Sequence, residues 1–144
     1  MKTPASITAI YEAAKSTGHV SSKQTAKLIR HRLKSAIPDE KFVVTKKDYA
    51  GGSSVYVVWS GSTPKALVEE FVRPFQGRRF DAVLDLSVAV TSYLEPDGSA
   101  TFAETLGTQH NMGEISAGRQ FKPSPDAIRV NFSADIVMCI WRRS

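Results

Sequence analysis

The stretch SSKQTAKLIRHRLKSAIPD, Ser21 to Asp39, constrains the fold more than any other part of the chain. Ser21 followed three residues later by Gln24 is a capping-box pattern, in which each side chain satisfies a backbone N–H at the start of a helix. Ala26, Ile29, Leu33 and Ile37 recur at helical spacing and predict a buried stripe, with Leu28 on its flank. Lys23, Lys27, Arg30 and Lys34 recur at the same spacing on a different side. Pro38 stops the helix. A helix of this kind has one face for a core and another that carries only positive charge.

The flanking segments supply partners for the apolar face. Residues 4–16 read as a shorter helix with Ile7, Ile10, Tyr11 and Ala14 on one side and Gly18 as its C-terminal cap. KFVVTKK and SSVYVVW, rich in Val, Thr and aromatics, read as strands. In the first, Phe42 and Val44 face one way and Val43 and Thr45 the other. In the second, Val55, Val57 and Trp59 oppose Tyr56 and Val58, and apolar groups on both faces predict a central strand. GSTPKALVEEFVRPFQG reads as a third helix with Thr63 as N-cap, Pro64 in the first turn and Leu67, Val68, Phe71 and Val72 buried, ended by Pro74 and Gly77.

Beyond residue 78 the patterns are less decisive. FDAVLDLSVAV fits helix or strand: the spacing of Asp81 and Asp85 suits one helical face, and the Val and Leu content suits either. VTSYLEPDGSATFAE predicts a β-hairpin around Pro96-Asp97-Gly98. QHNMGEISAGRQFKPSP reads as a long irregular connection, and IRVNFS as a half-buried strand with Ile128, Val130 and Phe132 inward. ADIVMCIW predicts either the closing strand of the sheet or a continuation past a bend, and IVMCIW reads equally as a buried strand or as an exposed edge able to pair two copies. The expected class is α+β: two N-terminal helices and an antiparallel or mixed sheet with helices packed on one face. The 144 residues are read as one domain, comprising an N-terminal helix (1–20), a helix–hairpin–helix core (21–81) and a β-rich C-terminal part (82–144).

Charge is distributed unevenly. Residues 15–47 hold nine Lys and Arg against Asp39 and Glu40, whereas residues 48–114 hold four basic and nine acidic side chains. Such polarity steers an anionic partner to one side of the molecule. No apolar run reaches the roughly 18 residues of a membrane span. MKTPASITAIYEAAK lacks the apolar stretch of a secretory signal, and the lone Cys139 excludes an internal disulfide, so a cytoplasmic setting is expected.

Chemistry-bearing patterns are sparse. DYAGGSSVYVVW, Asp48 to Trp59, sets Gly51 and Gly52 between two apolar runs, which raises the question of a phosphate cradle. The glycines lead into a strand rather than a helix and no P-loop motif accompanies them, so a hairpin needing positive φ is the expected explanation. His19, His31 and His110 have no metal-like partner at ligand spacing, and no nucleophile elbow is present. No catalytic residue, metal or cofactor is expected. The stronger candidates are partner-binding: Lys23, Lys27, Arg30 and Lys34 on the helix, Lys46, Lys47 and Tyr49 beside the glycine loop, and Arg119, Phe121 and Lys122 in the later connection. The cations suit phosphates of DNA or RNA, an acidic protein surface, or simply solvent. Tyr and Arg are common interface anchors.

Thr25 to Asp81 also resembles the large polyvalent protein associated domains of phages, plasmids and other mobile elements. The matching features are the helix ending in Pro38, the basic strand, Tyr49-Ala50-Gly51-Gly52-Ser53-Ser54, the aromatic-ended strand, and the helix leading to Phe75-Gln76-Gly77 and Phe80-Asp81. Residues 100–144 carry no such resemblance. The resemblance implies a mobile-element accessory protein, in scale similar to small anti-defence proteins such as anti-CRISPR inhibitors. The expected function is therefore non-enzymatic: occupying the surface of a host defence nucleoprotein. The alternative is a nucleic-acid-binding module without sequence preference that uses the same basic face.

Overall fold

The computed structural model describes residues 4–50, 52–81, 86–102 and 123–142, and side chains are described for these except residues 79–81, 86–89 and 102. The chain begins with helix α1 (Ala5–Thr17), which buries Ile7, Ile10, Tyr11 and Ala14 as its spacing predicts. Gly18 ends it in the left-handed conformation at φ 70°, with its N–H on the Ala14 carbonyl. The short strand β1 (His19–Val20) leads directly into helix α2 (Ser22–Ala36). Both halves of the capping box form: Gln24 N–H donates to Ser21 Oγ at 3.2 Å, and Ser21 N–H to Gln24 Oε1 at 3.1 Å. Helix α2 buries Thr25, Ala26, Leu28, Ile29 and Leu33. Leu28 therefore belongs to the centre of the stripe rather than its flank, and Ile37 is the half-buried C-cap residue.

Strands β2 (Val43–Tyr49) and β3 (Gly52–Trp59) form an antiparallel hairpin. Strand β9 (Ile136–Trp141) adds to the other side of β3 in parallel, so β3 is central as its two apolar faces predict. Gly52 pairs with Tyr49 inside the ladder and has no positive φ. The positive-φ explanation is thus wrong for Gly52. A Cβ there would instead collide with the Asp135 carboxylate and press on the Tyr49 ring at 3.2 Å. Gly51 lies outside the described residues.

Helix α3 (Lys65–Val72) starts one residue later than expected. Pro64, not Thr63, is the N-cap, and no side chain caps it. Thr63 is drawn away by Glu40: its hydroxyl donates to Glu40 Oε1 at 2.6 Å and its N–H at 3.3 Å. Val68 and Val72 are buried, Leu67 is exposed, and Phe71 is half-buried under the Arg32 guanidinium, 4.9 Å from the ring centre. A 3₁₀ turn (Arg73–Phe75) then feeds strand β4 (Arg78–Asp81), which pairs antiparallel with β5 (Leu86–Ala89). The ambiguous segment is therefore strand. Asp81 does not lie on a helical face, and Asp85 lies outside the described residues.

A mixed sheet of order β1–β8–β6–β7 completes the architecture, with β6 (Ser92–Leu94), β7 (Ala100–Phe102) and β8 (Ile128–Phe132). The β6–β7 hairpin turns at Gly98, φ 92°, as the Pro-Asp-Gly signal predicts. One core joins the two larger sheets: Leu28, Ile29 and Leu33 of α2 meet Val55 and Val57 of β3, Leu94, Val130 and Phe132. Phe75 is fully buried against Phe132, ring centres 5.3 Å apart. The class is α+β with mixed sheets, more divided than a single sheet. Helix α2 contacts β2 and β3, α3 contacts β9, and α1 contacts β8.

Candidate functional site: the basic face of helix α2

Packing of the apolar stripe fixes where the cations go. With Leu28, Ile29 and Leu33 buried, the helical period leaves Lys23, Lys27, Arg30 and Lys34 exposed on the far side. None of the fifteen residues of α2 is acidic. Lys23–Lys27 and Arg30–Lys34 are like-charge i,i+4 pairs, each costing the isolated helix a few tenths of a kcal/mol, about 0.2–0.5. Core burial outweighs that cost: fully burying one Leu or Ile is worth about 1.5–3 kcal/mol. The helix thus carries a concentrated positive potential that its own sequence does not neutralise.

Arg30 is the fixed member of the group. Its Nη2 donates to the Val44 carbonyl at 2.7 Å, anchoring the guanidinium at the free edge of β2. Clefts open on both sides of it. One, of about 430 Å³, is lined by Arg30, Lys34, Pro38, Asp39, Glu40, Lys41 and Phe42. The other, of about 290 Å³, lies between α2 and the start of α1, and its polar lining among the described residues is Ser6, Lys27, Arg30, His31 and Lys34, none of them acidic. The larger cleft mixes signs, but its Glu40 is already engaged. The Thr63 hydroxyl bond, ahead of the backbone N–H bonds, holds the Glu40 carboxyl below the usual range despite some burial.

The remaining candidates separate. Lys46 lies on the α2 side of β2 but is paired: its ammonium bonds Asp48, whose other oxygen accepts from Ser22 of α2 at 3.2 Å. The Lys46 hydrogen bond is the main reason that the Asp48 carboxyl titrates below its ordinary value. Lys47 alternates to the opposite face of the sheet, with Val43, Thr45 and Tyr49. Tyr49 stands at the end of β2 rather than in a loop. The residue is 46% exposed, while its hydroxyl is bound to Ser54 Oγ at 3.2 Å. Arg119, Phe121 and Lys122 lie outside the described residues, as does His110. The structure therefore brings together Lys23, Lys27, Arg30 and Lys34, sets Lys46 beside them in neutralised form, and puts Lys47 and Tyr49 elsewhere.

Lys41, His31 and Ser6 were absent from the candidates and line the clefts. Lys41 follows the Pro38 stop within three residues, so a short return of the chain beside Lys34 was a usable signal. Ser6 had none, because only tertiary packing brings α1 to α2. His19 makes a 2.7 Å hydrogen bond to Ser133 Oγ. Among the described residues no group of three His, Cys, Asp or Glu is placed to hold a metal ion, and no helix is long and apolar enough to cross a membrane.

The family model described as large polyvalent protein associated domain 29 matches residues 20–122. It extends well past Asp81, so residues 100–122, expected to carry no resemblance, fall inside the match. No curated protein and no solved structure matches the chain.

Proposed function

Because the chain belongs to the large polyvalent protein associated domain 29 family, and so to a group associated with phages and mobile elements, we propose that it is a non-enzymatic binding protein. It sets the basic face of α2 against an anionic surface of a host defence nucleoprotein and inhibits that machinery by occupying it, as an anti-CRISPR inhibitor does. The observation that carries this reading is the run of four exposed cations on a helix with no acidic residue. Occupying a surface needs steering and complementarity rather than a reacting group, and charge of one sign supplies both. The test is phage plating on cells carrying a defence system, with and without the protein. Plating should rise with the native chain and return to baseline with a Lys23, Lys27, Arg30 and Lys34 charge reversal. No rise against CRISPR or restriction systems would refute the inhibition.

A second reading has its own support. The clefts beside Arg30 recess cations where phosphates of a nucleic acid can seat. Direct binding then loses affinity with salt at a logarithmic slope of about −0.9 per phosphate neutralised on duplex DNA, or roughly −3.6 for four contacts. Fluorescence anisotropy with random-sequence duplex and single strand separates the readings. A steep slope lost in the charge reversal favours nucleic acid, and no binding at low salt leaves the protein surface.

A further inference from the structure

The sheet β2–β3–β9 has two outer edges, and the chain treats them differently. On β2 the outward backbone groups belong to Val44, Lys46 and Asp48. The Val44 carbonyl is taken by Arg30, and the Lys46–Asp48 pair charges the rest of the edge. Charged edge residues are a common guard against unwanted pairing. Among the described residues, strand β9 has no such charged guard. Ile136 to Trp141 contains no charged residue. The Arg142 N–H donates inward to the Trp59 carbonyl of β3 while the Val137 N–H donates away from β3, so strand alternation turns the backbone of 138 and 140 toward β3 and that of 137, 139 and 141 away from it. Val137, Cys139 and Trp141 therefore direct their backbone outward. Gln76 Oε1 accepts from the Val137 N–H at 3.0 Å. The N–H groups of Cys139 and Trp141 have no hydrogen-bond partner among the described residues.

The solvent face of the same sheet carries apolar side chains on all three strands, with Lys47 and Ser54 in the row of Ile136. Register places Val43, Val58 and Ile140 in one row and Thr45, Tyr56 and Met138 in the next. Val43 is 56% exposed, Met138 49% and Ile136 46%. An occupant of the open edge has to be an extended strand, because only a strand offers donors and acceptors at this spacing. It also has to bring no charge against Ile140. Within this chain β9 itself meets those conditions, and it meets them without like-charge repulsion even though the whole protein carries a net charge of +5.

We propose that two copies of the chain associate by antiparallel pairing of β9 with β9, with Ile140 on the two-fold axis. Cys139 of each copy then exchanges backbone hydrogen bonds with Trp141 of the other, and the bond from Val137 to Gln76 stays intact. Met138 comes to stand opposite Arg142 of the second copy, both on the solvent face. The contact is small, so the dimer forms at concentrations on the order of 100 µM rather than in the nanomolar range.

Sedimentation velocity on the full chain from about 10 µM to about 1 mM tests this. The native chain should shift from monomer to dimer across that range. Ile140→Lys puts two ammonium groups directly opposite each other and should abolish the shift. Met138→Glu and Met138→Lys remove the same apolar surface at an exposed position, but only Glu gains a partner in Arg142. Each such pair occurs twice, so the Lys variant should dimerise roughly tenfold more weakly than the Glu variant. Circular dichroism checks that each variant is folded, and the Met138 comparison decides the matter should Ile140→Lys not fold. A monomer at every concentration, a dimer indifferent to Ile140→Lys, or equal weakening by the two Met138 variants would overturn the proposal. None of these outcomes bears on the basic face of α2.

Discussion

Gly77→Ala should be among the most damaging single-methyl additions to this protein, and the structure gives the reason. Gly77 is buried where the chain leaves the 3₁₀ turn, with its N–H on the Ala134 carbonyl at 2.8 Å and its own carbonyl accepting from Val90 at 2.9 Å. A Cβ at this position would overlap the Phe132 carbonyl oxygen and lie 3.0 Å from the carbonyl carbon. Restoring a tight C···O approach of roughly 3.3 Å requires the two backbones to part by about 1 Å or more. The obstacle is backbone, held in β8 and next to the fully buried Phe75–Phe132 contact, so no side chain can swing aside. A shift of that size stretches both Gly77 hydrogen bonds beyond useful length. Each buried group left unpaired costs about 1–3 kcal/mol, against a gain of about 0.4–1 kcal/mol from the less flexible unfolded chain. The net loss is then about 1–5 kcal/mol, a large share of the ~5–15 kcal/mol that folds a typical domain. Urea unfolding followed by circular dichroism measures it, with Gly61→Ala as the comparison. There the added methyl meets the Glu40 carboxylate, the movable end of a side chain, and the loss should be smaller. A Gly77→Ala loss below about 1 kcal/mol would refute the reasoning, since it would mean that the backbone yields freely at this point.

Ser21→Ala removes half of the capping box and should cost about 1 kcal/mol in the same urea assay, with Ser21→Gly costing less. Glu40 is held ionised below the usual glutamate value of 4.5, chiefly by Thr63. Its stabilising contribution is therefore complete above that value and is lost as pH falls through the lower folded-state pKa. The difference in urea midpoint between the native chain and Glu40→Ala should be constant at neutral pH and shrink as the pH falls below 4.5. A gap unchanged at low pH would show that the carboxylate is not the stabilising species. Burial pushes the Cys139 thiol up to about 11, so at pH 8 its alkylation should be slow in the native protein and should accelerate on adding denaturant. Fast labelling of the native chain would contradict the burial of Cys139 in β9.

Local periodicity determined much of this molecule. The capping box, the buried faces of α1 and β3, the Pro-Asp-Gly hairpin and the four-cation face of α2 depend on spacings of two to four residues, which sequence displays directly. Thr63 marks where that reasoning fails. It looks like a helix cap until Glu40, twenty-three residues earlier in the chain, claims its hydroxyl. Lys46 looks like a free cation in a basic run, and it is the strand's pleat that sets it beside Asp48 and sends Lys47 to the opposite face. Tertiary structure alone decided that the strands divide into separate sheets, that Arg30 guards one edge of β2–β3–β9, and that Gln76 meets the backbone of β9 at the other. Pairing partners and edges are relations between distant segments. Such relations are settled by which apolar faces can share one core, and no local pattern of residues encodes that choice.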